Sequence, residues 1–293
     1  MVRAISIPAS LREEYPFEPK KLKLSSGHTL SYLDEGEGPV VIMAHGNPTW
    51  SFYYRDIVKT LKENFRVIVP DHIGCGLSDK PQDYDYTLKN HIDNLESLID
   101  ELKIEDFNLI VHDWGGAIGM GLGTRRPKNL KKAVILNTAA FTSNLIPKTI
   151  NLCKNPIFGE WMVRKFNAFA WPATFMATSK GLSQVVKEGY LLPYNNYENR
   201  IATARFVRDI PMDDQHPSWS TLKNIENNLS TLECPKLILW GEKDFCFNMQ
   251  FFKRWTEIYP KAETKVFSGA GHYVLEDAKE EINKDIFNFL RES

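Results

Sequence analysis

Three residues that are far apart in the chain have the types needed for nucleophilic catalysis, namely Asp113, Asp244 and His272. Asp113 lies in the segment 111–116, where an apolar strand pattern ends and a pair of glycines begins a helical one. His272 lies in a glycine-containing loop near the C-terminus, and imidazole is the usual base near neutral pH. Asp244 stands between them in chain order, where the acid that orients the base is expected. These residues predict a carboxylate nucleophile, Asp113, with the base His272 and the orienting acid Asp244.

The turn around Asp113 matches the position at which α/β-hydrolases carry their nucleophile, but its residues differ from the usual G-x-S-x-G pattern. Asp113 replaces the serine and Val111 replaces the first glycine. An isolated aspartate before a helix is more often an N-cap, so the interpretation of Asp113 depends on its partners. Glu242 is a weaker candidate for the acid because Asp244 lies further into the loop, and the strand that ends at Asn137 offers no carboxylate.

Asn47 is a candidate for binding negative charge on the substrate. It follows a strand directly, where this fold supplies a backbone N–H to its oxyanion site. The simpler interpretation of its segment is a tight turn, because Gly, Asn and Pro all favour turns.

The elements that must position these residues alternate between strand and helix patterns. Strands are predicted at residues 21–24, 29–34, 40–44, 67–70, 108–111, 133–137, 236–240 and 264–267. Helices with apolar residues at three- and four-residue spacing are predicted between them, at 52–64, 88–102, 116–125, 249–259 and 279–290. This alternation predicts an α/β-hydrolase fold with an eight-stranded, mostly parallel sheet.

The alternation is interrupted by an aromatic-rich segment with helical patterns, such as 158–169 and 182–190. We therefore predict an α/β-hydrolase core at 1–140 and 230–293 and an inserted helical cap at 141–229. Six aromatic side chains of this cap are candidates for lining a long apolar cavity: Phe158, Trp161, Phe166, Phe169, Trp171 and Phe175. For most of them we expect burial in the core of the cap instead.

The composition limits the function classes. The chain has 293 residues and a net charge of -1, so no long-range field draws the whole protein toward nucleic acid or anionic lipid. Four widely spaced cysteines are too few for a disulfide framework at this size and favour a reducing, cytoplasmic location. No signal peptide or transmembrane segment is expected, and membrane contact, if any, would be peripheral.

Three segments closely resemble the haloalkane dehalogenases. They are HGNPTWS at 45–51, DHIGCGLSDKP at 71–81 and HDWGG at 112–116. The resemblance extends over nearly the whole chain. It implies attack of Asp113 on carbon, an ester intermediate, and hydrolysis of that ester by water that His272 activates. The resemblance also implies that the Asn47 amide and the Trp114 indole hold the leaving halide, without a cofactor or a metal. The indole of Trp114 offers one N–H donor and no acceptor, as this role requires. The simpler interpretation of Trp114 is a structural tryptophan at a helix start.

Further segments resemble a narrower group, the β-lactone decarboxylases of bacterial long-chain olefin synthesis. They are NTAAF at 137–141, FNAFA at 166–170, NRIA at 199–202, RFVRDIP at 205–211 and GHYVLED at 271–277. That group converts a cis-β-lactone with two alkyl chains to an alkene and carbon dioxide. The resemblance implies a small apolar substrate, an alkyl β-lactone or a haloalkane, and makes other enzymes of olefin synthesis candidate partners.

Two other function classes stay open. Epoxide hydrolases also use an aspartate nucleophile with cap tyrosines as proton donors, and Tyr190, Tyr194 and Tyr197 are available here. Asn47 together with Trp114 fits a halide or lactone site better than an epoxide site. A ligand receptor built on the same fold is the second class, because a fold does not by itself fix a function. The complete set of three catalytic residue types disfavours it.

Overall fold

The computed structural model describes residues 5–292. Its framework is a sheet of eight strands: β1 (Lys20–Lys23), β2 (Thr29–Glu35), β3 (Val40–Ala44), β4 (Arg66–Asp71), β5 (Phe107–Asp113), β6 (Leu130–Thr138), β7 (Lys236–Gly241) and β8 (Glu263–Phe267). Their order across the sheet is β1-β2-β4-β3-β5-β6-β7-β8. The pairs β1 with β2 and β2 with β4 are antiparallel, and all other pairs are parallel.

The helices of the core are α1 (Arg55–Leu61), α2 (Leu88–Glu101), α3 (Trp114–Arg125), α10 (Met249–Ile258), α11 (Val274–Asp277) and α12 (Lys279–Arg291). They cover both faces of the sheet, as alternate residues of its strands demonstrate. In β3, Val41 and Met43 pack into one apolar cluster with α1 and α12, while Ile42 and Ala44 pack into another with α2 and α3. Because both faces are covered, the central strands carry continuous apolar runs rather than an alternating pattern, and all seven residues of β5 are buried.

Six helices lie between β6 and β7 and are called the cap below. They are α4 (Lys148–Cys153), α5 (Phe158–Phe166), α6 (Ala170–Met176), α7 (Gln184–Leu191), α8 (Ile201–Arg208) and α9 (Trp219–Asn228). Most are short. The predicted helix at 158–169 ends at Phe166, because Asn167 adopts a left-handed conformation with φ 55° that ends α5.

The predicted sheet and its helical insertion are confirmed. All eight predicted strands are present, with ends that differ by at most two residues, except that β6 begins three residues earlier than predicted. The helix predicted at 116–125 begins earlier, at Trp114, directly after the nucleophile candidate. The helix predicted at 52–64 begins as one 3₁₀ turn, Ser51–Tyr54, and continues as α1.

The parallel strands determine where the candidate residues meet. Strands β3, β5, β6, β7 and β8 are neighbours and run in the same direction, so their carboxyl ends lie along one edge of the sheet. Asn47, Asp113, Asp244 and His272 each lie at or beyond such a carboxyl end. This edge of an open α/β sheet is the usual position of a ligand site. None of the helices among residues 5–292 is both long and apolar enough to span a membrane.

Candidate active site

Asp113 lies on a sharp turn between β5 and α3. Its backbone has φ 52° and ψ -127°, a region that costs a non-glycine residue on the order of 1–3 kcal/mol. Close packing holds this turn in place. A Cβ atom on Gly46 would lie 2.0 Å from Asp113 Oδ1, and one on Gly115 would lie 1.8 Å from the Ala44 carbonyl oxygen. The two glycines therefore let the loop after β3 and the start of α3 approach the aspartate.

The candidate base and acid lie beside this turn. His272 Nε2 is 3.7 Å from Asp113 Oδ2, and His272 Nδ1 is 2.8 Å from Asp244 Oδ2. All three side chains are buried. The distance of 3.7 Å is longer than a hydrogen bond, so His272 lies next to the nucleophile candidate without being bonded to it. The structure thus brings together the three residues that the sequence pattern selected. Glu242, the weaker candidate for the acid, is exposed.

Asp244 is held by a set of donors from two loops. Its Oδ1 accepts hydrogen bonds from the backbone N–H groups of Cys246 and Phe247, at 2.6 and 3.0 Å. Its Oδ2 accepts a bond from Asn137 Nδ2 at 3.0 Å in addition to the one from His272. Four donors on a buried carboxylate hold it in one orientation. Asn137, which lies at the competing acid position near the carboxyl end of β6, thus supports Asp244.

Asn137 also connects the ends of β6 and β7. Its Nδ2 donates to the Gly241 carbonyl at 3.1 Å, and its Oδ1 accepts from the Gly241 N–H at 2.7 Å. The side chain therefore fixes the end of β7 relative to β6. The sequence signal for this role was weak, because an asparagine at a strand end is commonly part of a turn.

His112 is a second residue whose contribution was not predicted. Its Nε2–H donates to the backbone carbonyl of His272 at 2.9 Å, and its ring lies between those of Tyr53 and His272, with centroid distances of 4.4 and 4.6 Å. Burial lowers the pKa of His112 well below its usual value, so the ring is neutral. His112 thereby holds the backbone of the loop that carries the candidate base, His272.

Burial and the neighbouring charges and hydrogen bonds shift the pKa values of Asp113 and His272. Burial raises the pKa of Asp113, and this rise is opposed by His272 and by the backbone N–H groups of Asn47 and Trp114. Burial alone would lower the pKa of His272, but the charge and the hydrogen bond of Asp244 outweigh it and raise that pKa above its usual value. His272 therefore keeps its positive charge to a higher pH than a free histidine does.

The candidate anion-binding residues both line the site. The backbone N–H of Asn47 donates to Asp113 Oδ1 at 2.6 Å, and its side-chain Nδ2 donates to the Thr203 carbonyl at 3.1 Å. One amide hydrogen of Asn47 is thus already used within the protein. Trp114 packs edge-on against Phe206, and its indole N–H has no acceptor within residues 5–292. Trp114 is therefore the freer of the two donors.

Two apolar cavities meet at Asp113. The smaller, about 120 Å³, is here called the small arm, and the larger, about 360 Å³, the large arm. Both are lined by Asn47, Asp113, Ile150, Phe169 and Cys246. The small arm continues between α3, α8, α9 and α10, where its wall includes Ala139, Val207, Leu222 and Phe251. The large arm continues beneath α4, α5 and α6, where its wall includes Leu152, Phe158, Ala168 and Met176.

The cap side chains differ from expectation. Phe158 and Phe169 line the cavities, but the prediction that most of the six cap aromatics are buried in a cap core is wrong. Trp161, Phe166, Trp171 and Phe175 are between 47% and 56% exposed. The turns of α5 and α6 on which they lie face solvent, because these helices are short and already bury their other faces over the cavities.

The tyrosines that would serve an epoxide hydrolase have other partners. Tyr190 donates to Glu276, and Tyr194 donates to the Thr49 carbonyl at 3.2 Å. The ring of Tyr197 lies under the guanidinium of Arg164, 4.0 Å from its centroid. Within the described residues, none of the three lines either arm.

Comparison with known proteins agrees with this geometry. The sequence model of the α/β hydrolase fold matches residues 39–279. The chain belongs to the α/β-hydrolase family. A cis-3-alkyl-4-alkyloxetan-2-one decarboxylase from Shewanella oneidensis is 45% identical over 92% of this chain and 87% of its own length. A protein of the same name from Xanthomonas campestris is 42% identical over 94% of this chain and 97% of its own length.

The haloalkane dehalogenases are more distant relatives of this α/β-hydrolase. Haloalkane dehalogenase 2 of Mycobacterium tuberculosis is 29% identical over 92% of this chain and 93% of its own length. The crystal structure of a haloalkane dehalogenase from Bradyrhizobium elkani superposes with a TM-score of 0.85, at 26% identity, and covers 93% of this chain and 97% of that one. Both resemblances expected from the sequence motifs are confirmed.

Proposed function

We propose that this α/β-hydrolase converts a cis-3,4-dialkyl β-lactone to an alkene and carbon dioxide, with Asp113 as the nucleophile. Relatives at 45% and 42% identity carry the name of such a decarboxylase, which supports the substrate class. The buried Asp113, Asp244 and His272 support a covalent mechanism that begins with a carboxylate.

The observation that carries the substrate assignment is the pair of arms that meet at Asp113. A disubstituted β-lactone has a compact polar ring between two alkyl chains, and the site has a compact polar centre between two apolar arms. The ring would lie against Asp113 and Asn47, with one chain in each arm. A simple 1-haloalkane has a single chain and would fill one arm only.

The reaction balances without water or a cofactor. The Asp113 carboxylate attacks the alkyl-bearing ring carbon that is bonded to the ring oxygen. The bond between this carbon and the ring oxygen breaks. The substrate is then an ester of Asp113 with a free carboxylate on the adjacent carbon. Loss of this carboxylate as CO₂ leaves the electron pair of the broken C–C bond to form the double bond. The same electron movement expels Asp113 as a carboxylate, and the enzyme is regenerated.

His272 and Asp244 assist at the last step. A protonated His272 next to Asp113 stabilises the negative charge that returns to the aspartate when the alkene forms. Asp244 supports this charge on His272, because it raises the pKa of the imidazole. The Asn47 and Trp114 backbone N–H groups orient the nucleophile before attack. The Trp114 indole and the Asn47 amide would bind the oxygen that leaves the ring.

Haloalkane dehalogenation is the second candidate function. The free indole N–H of Trp114 in the small arm favours it, since a halide accepts such a donor. In this reaction His272 must be neutral to activate water for hydrolysis of the ester. Because the pKa of His272 is raised by Asp244, this role needs a higher pH than it would with a free histidine.

Other parts of the proposal follow from the family. The cap at 141–229 would supply substrate selectivity, and the core at 1–140 and 230–293 would supply the chemistry. We place the protein in the cytoplasm, consistent with its four free cysteines. Enzymes that make or consume olefin precursors are proposed partners, because a reactive lactone is best transferred without release.

Product analysis tests the proposal. Purified protein is incubated with a synthetic cis-3,4-dialkyl β-lactone and, separately, with a 1-bromoalkane, and alkene, alcohol and bromide are quantified. We expect alkene from the lactone at a rate that exceeds bromide release. Bromide and alcohol without alkene would instead assign the protein as a haloalkane dehalogenase. Turnover of an alkane epoxide alone would assign it as an epoxide hydrolase, and tight binding without turnover would indicate a receptor.

A further inference from the structure

The cap carries a concentration of exposed apolar side chains. Of thirteen large hydrophobic residues that are exposed within the described chain, nine lie between residues 145 and 176. Six of them form what is here called the cap patch: Leu152, Phe158, Trp161, Phe166, Trp171 and Phe175. Each is between 47% and 61% exposed. Such a concentration on a soluble surface marks an interaction site, because single exposed hydrophobes are normally scattered.

The members of the cap patch contact one another along α5 and α6. The rings of Trp161 and Phe166 meet edge to face at 5.0 Å, and those of Trp171 and Phe175 do the same at 5.0 Å. Phe158 lies 6.3 Å from Trp161. The aromatic rings thus form a continuous apolar surface on each helix.

Two members of the cap patch lie at the opening of the large arm. Leu152 and Phe158 line this arm and are also 61% and 49% exposed, and Met176 and Phe245, outside the patch, line it and are 44% and 41% exposed. A residue that both lines a cavity and faces solvent lies at its mouth. The large arm therefore opens at the edge of the cap patch, and an apolar molecule on that surface would enter the site without crossing water.

The charge of this segment differs from that of the whole chain. Between residues 142 and 187 there are six basic residues and one acidic residue, Glu160, whereas the chain as a whole has a net charge of -1. Glu160 is neutralised locally by Arg164, Arg205 and Arg208. Lys148, on the same helix as Leu152, and Lys165, next to Phe166 in the chain, are exposed. The segment is therefore locally cationic, although the protein is not.

We propose that the cap patch docks on the surface of an anionic lipid bilayer, with the mouth of the large arm facing the lipid. Tryptophan and phenylalanine side chains bordered by lysines are the composition of peripheral helices that lie in a membrane interface. Lysines near an anionic bilayer add electrostatic attraction. A long-chain substrate would pass from the bilayer into the large arm, and the apolar product would return to the bilayer.

The charge argues against a second copy of this chain as the occupant. Two copies joined through their cap patches would bring two lysine-bordered surfaces together, and like charges across an interface are unfavourable. An anionic bilayer would bury the apolar side chains of this surface and attract its lysines.

Vesicle co-sedimentation tests this inference in the absence of any substrate, so its outcome is independent of the reaction. The full chain is mixed with vesicles of phosphatidylcholine alone or with phosphatidylglycerol added. We expect the protein to pellet with the anionic vesicles and less with the neutral ones. Added salt should release it, since screening weakens surface attraction.

Two double variants separate the apolar and the electrostatic parts. Trp171→Ser with Phe175→Ser should weaken binding by roughly tenfold or more, because apolar area is lost from the interface. Lys148→Glu with Lys165→Glu should weaken binding to anionic vesicles by about fivefold or more for each lysine. Val266→Ser, which removes an exposed hydrophobe on β8, is the matched control and should bind like the wild type. Circular dichroism checks that each variant is folded.

Three outcomes would overturn the inference. One is wild-type protein that does not pellet with anionic vesicles, and another is a Trp171→Ser, Phe175→Ser variant that binds as well as Val266→Ser. The third is the absence of vesicle binding together with a dimer in sedimentation velocity that the aromatic substitutions abolish. The cap patch would then join two copies of the chain.

Discussion

The two sides of the active site are built in different ways. On the sheet side, Asp113, Asp244 and His272 lie at strand ends and are fixed by short hydrogen bonds from the backbone and from Asn137. On the cap side, the walls are apolar side chains from five short helices, α4, α5, α6, α8 and α9, with few directional contacts to the site. In the proposed mechanism the sheet side supplies the chemistry, and the cap selects the apolar molecule that reaches it. Substitutions on the two sides should therefore change different kinetic parameters.

The largest effect should come from the nucleophile on the sheet side. Asp113→Asn removes the attacking carboxylate and leaves a residue that tolerates the positive φ of the turn. We expect the rate of alkene formation to fall by about 10⁴-fold or more, as for loss of other covalent nucleophiles. Gas chromatography of the alkene measures the rate, and thermal melting verifies the fold. Alkene formation within tenfold of the wild type would mean that Asp113 only caps α3.

The orienting acid should have the next largest effect. Asp244→Asn removes the charge that supports His272, and we expect kcat to fall by about 10²- to 10⁴-fold. Glu242→Gln is the matched control, because it changes a neighbouring exposed carboxylate in the same loop. Comparable losses in both variants would contradict the assignment of Asp244.

The pH dependence of alkene formation tests the roles of Asp244 and His272 further. Alkene formation needs an ionised Asp113 and, in the proposed mechanism, a protonated His272. Activity should therefore be lost as pH falls through the raised pKa of Asp113 and as pH rises through the raised pKa of His272. In Asp244→Asn the pKa of His272 falls, so the alkaline limb should move to lower pH. Bromide release, which needs neutral His272, should instead increase with pH in the wild type.

The cap side should affect selectivity more than rate. Ala168→Leu narrows the large arm and Ala139→Leu narrows the small arm. We expect each substitution to raise KM by roughly tenfold for the lactone whose long chain lies in the narrowed arm. The KM of the isomer with the two chains exchanged should remain nearly unchanged. Kinetics with a pair of lactones that carry a long chain on either side measure this split. Equal losses for both isomers would mean that the arms act as one pocket.

The smallest effect should come from His112, which holds the loop of the base. His112→Phe keeps the ring between Tyr53 and His272 but removes the hydrogen bond to the His272 carbonyl. A buried carbonyl without its donor costs about 1–3 kcal/mol of stability. We expect a lower melting temperature and a reduction in kcat with little change in KM. A change in KM alone would place His112 in substrate binding instead.

The sheet side was also the more predictable from sequence. Strands such as β5 carry long apolar runs between turn residues, and parallel strands bring their carboxyl ends to one edge, so the meeting of Asp113, Asp244 and His272 could be expected. The contribution of Asn137 could not be predicted, because its hydrogen bonds to Asp244 and Gly241 join residues more than a hundred positions apart. Such contacts leave no local pattern.

The cap was less predictable for a physical reason. Its helices are short, and they carry apolar residues toward the arms and also toward solvent, as Trp161 and Trp171 illustrate. An apolar residue at helical spacing normally indicates a core face, so the pattern gave the wrong burial for these aromatics. The same exposure is what distinguishes the cap patch as an interaction surface.

The covalent role of Asp113 is the central claim, and locating the intermediate tests it most directly. A cis-3,4-dialkyl β-lactone is mixed with enzyme, the reaction is stopped with acid during turnover, and the protein is digested for peptide mass spectrometry. We predict an adduct with the mass of the whole lactone on Asp113, absent from the Asp113→Asn variant. An adduct on any other residue, or alkene formation by Asp113→Asn at the wild-type rate, would contradict the account.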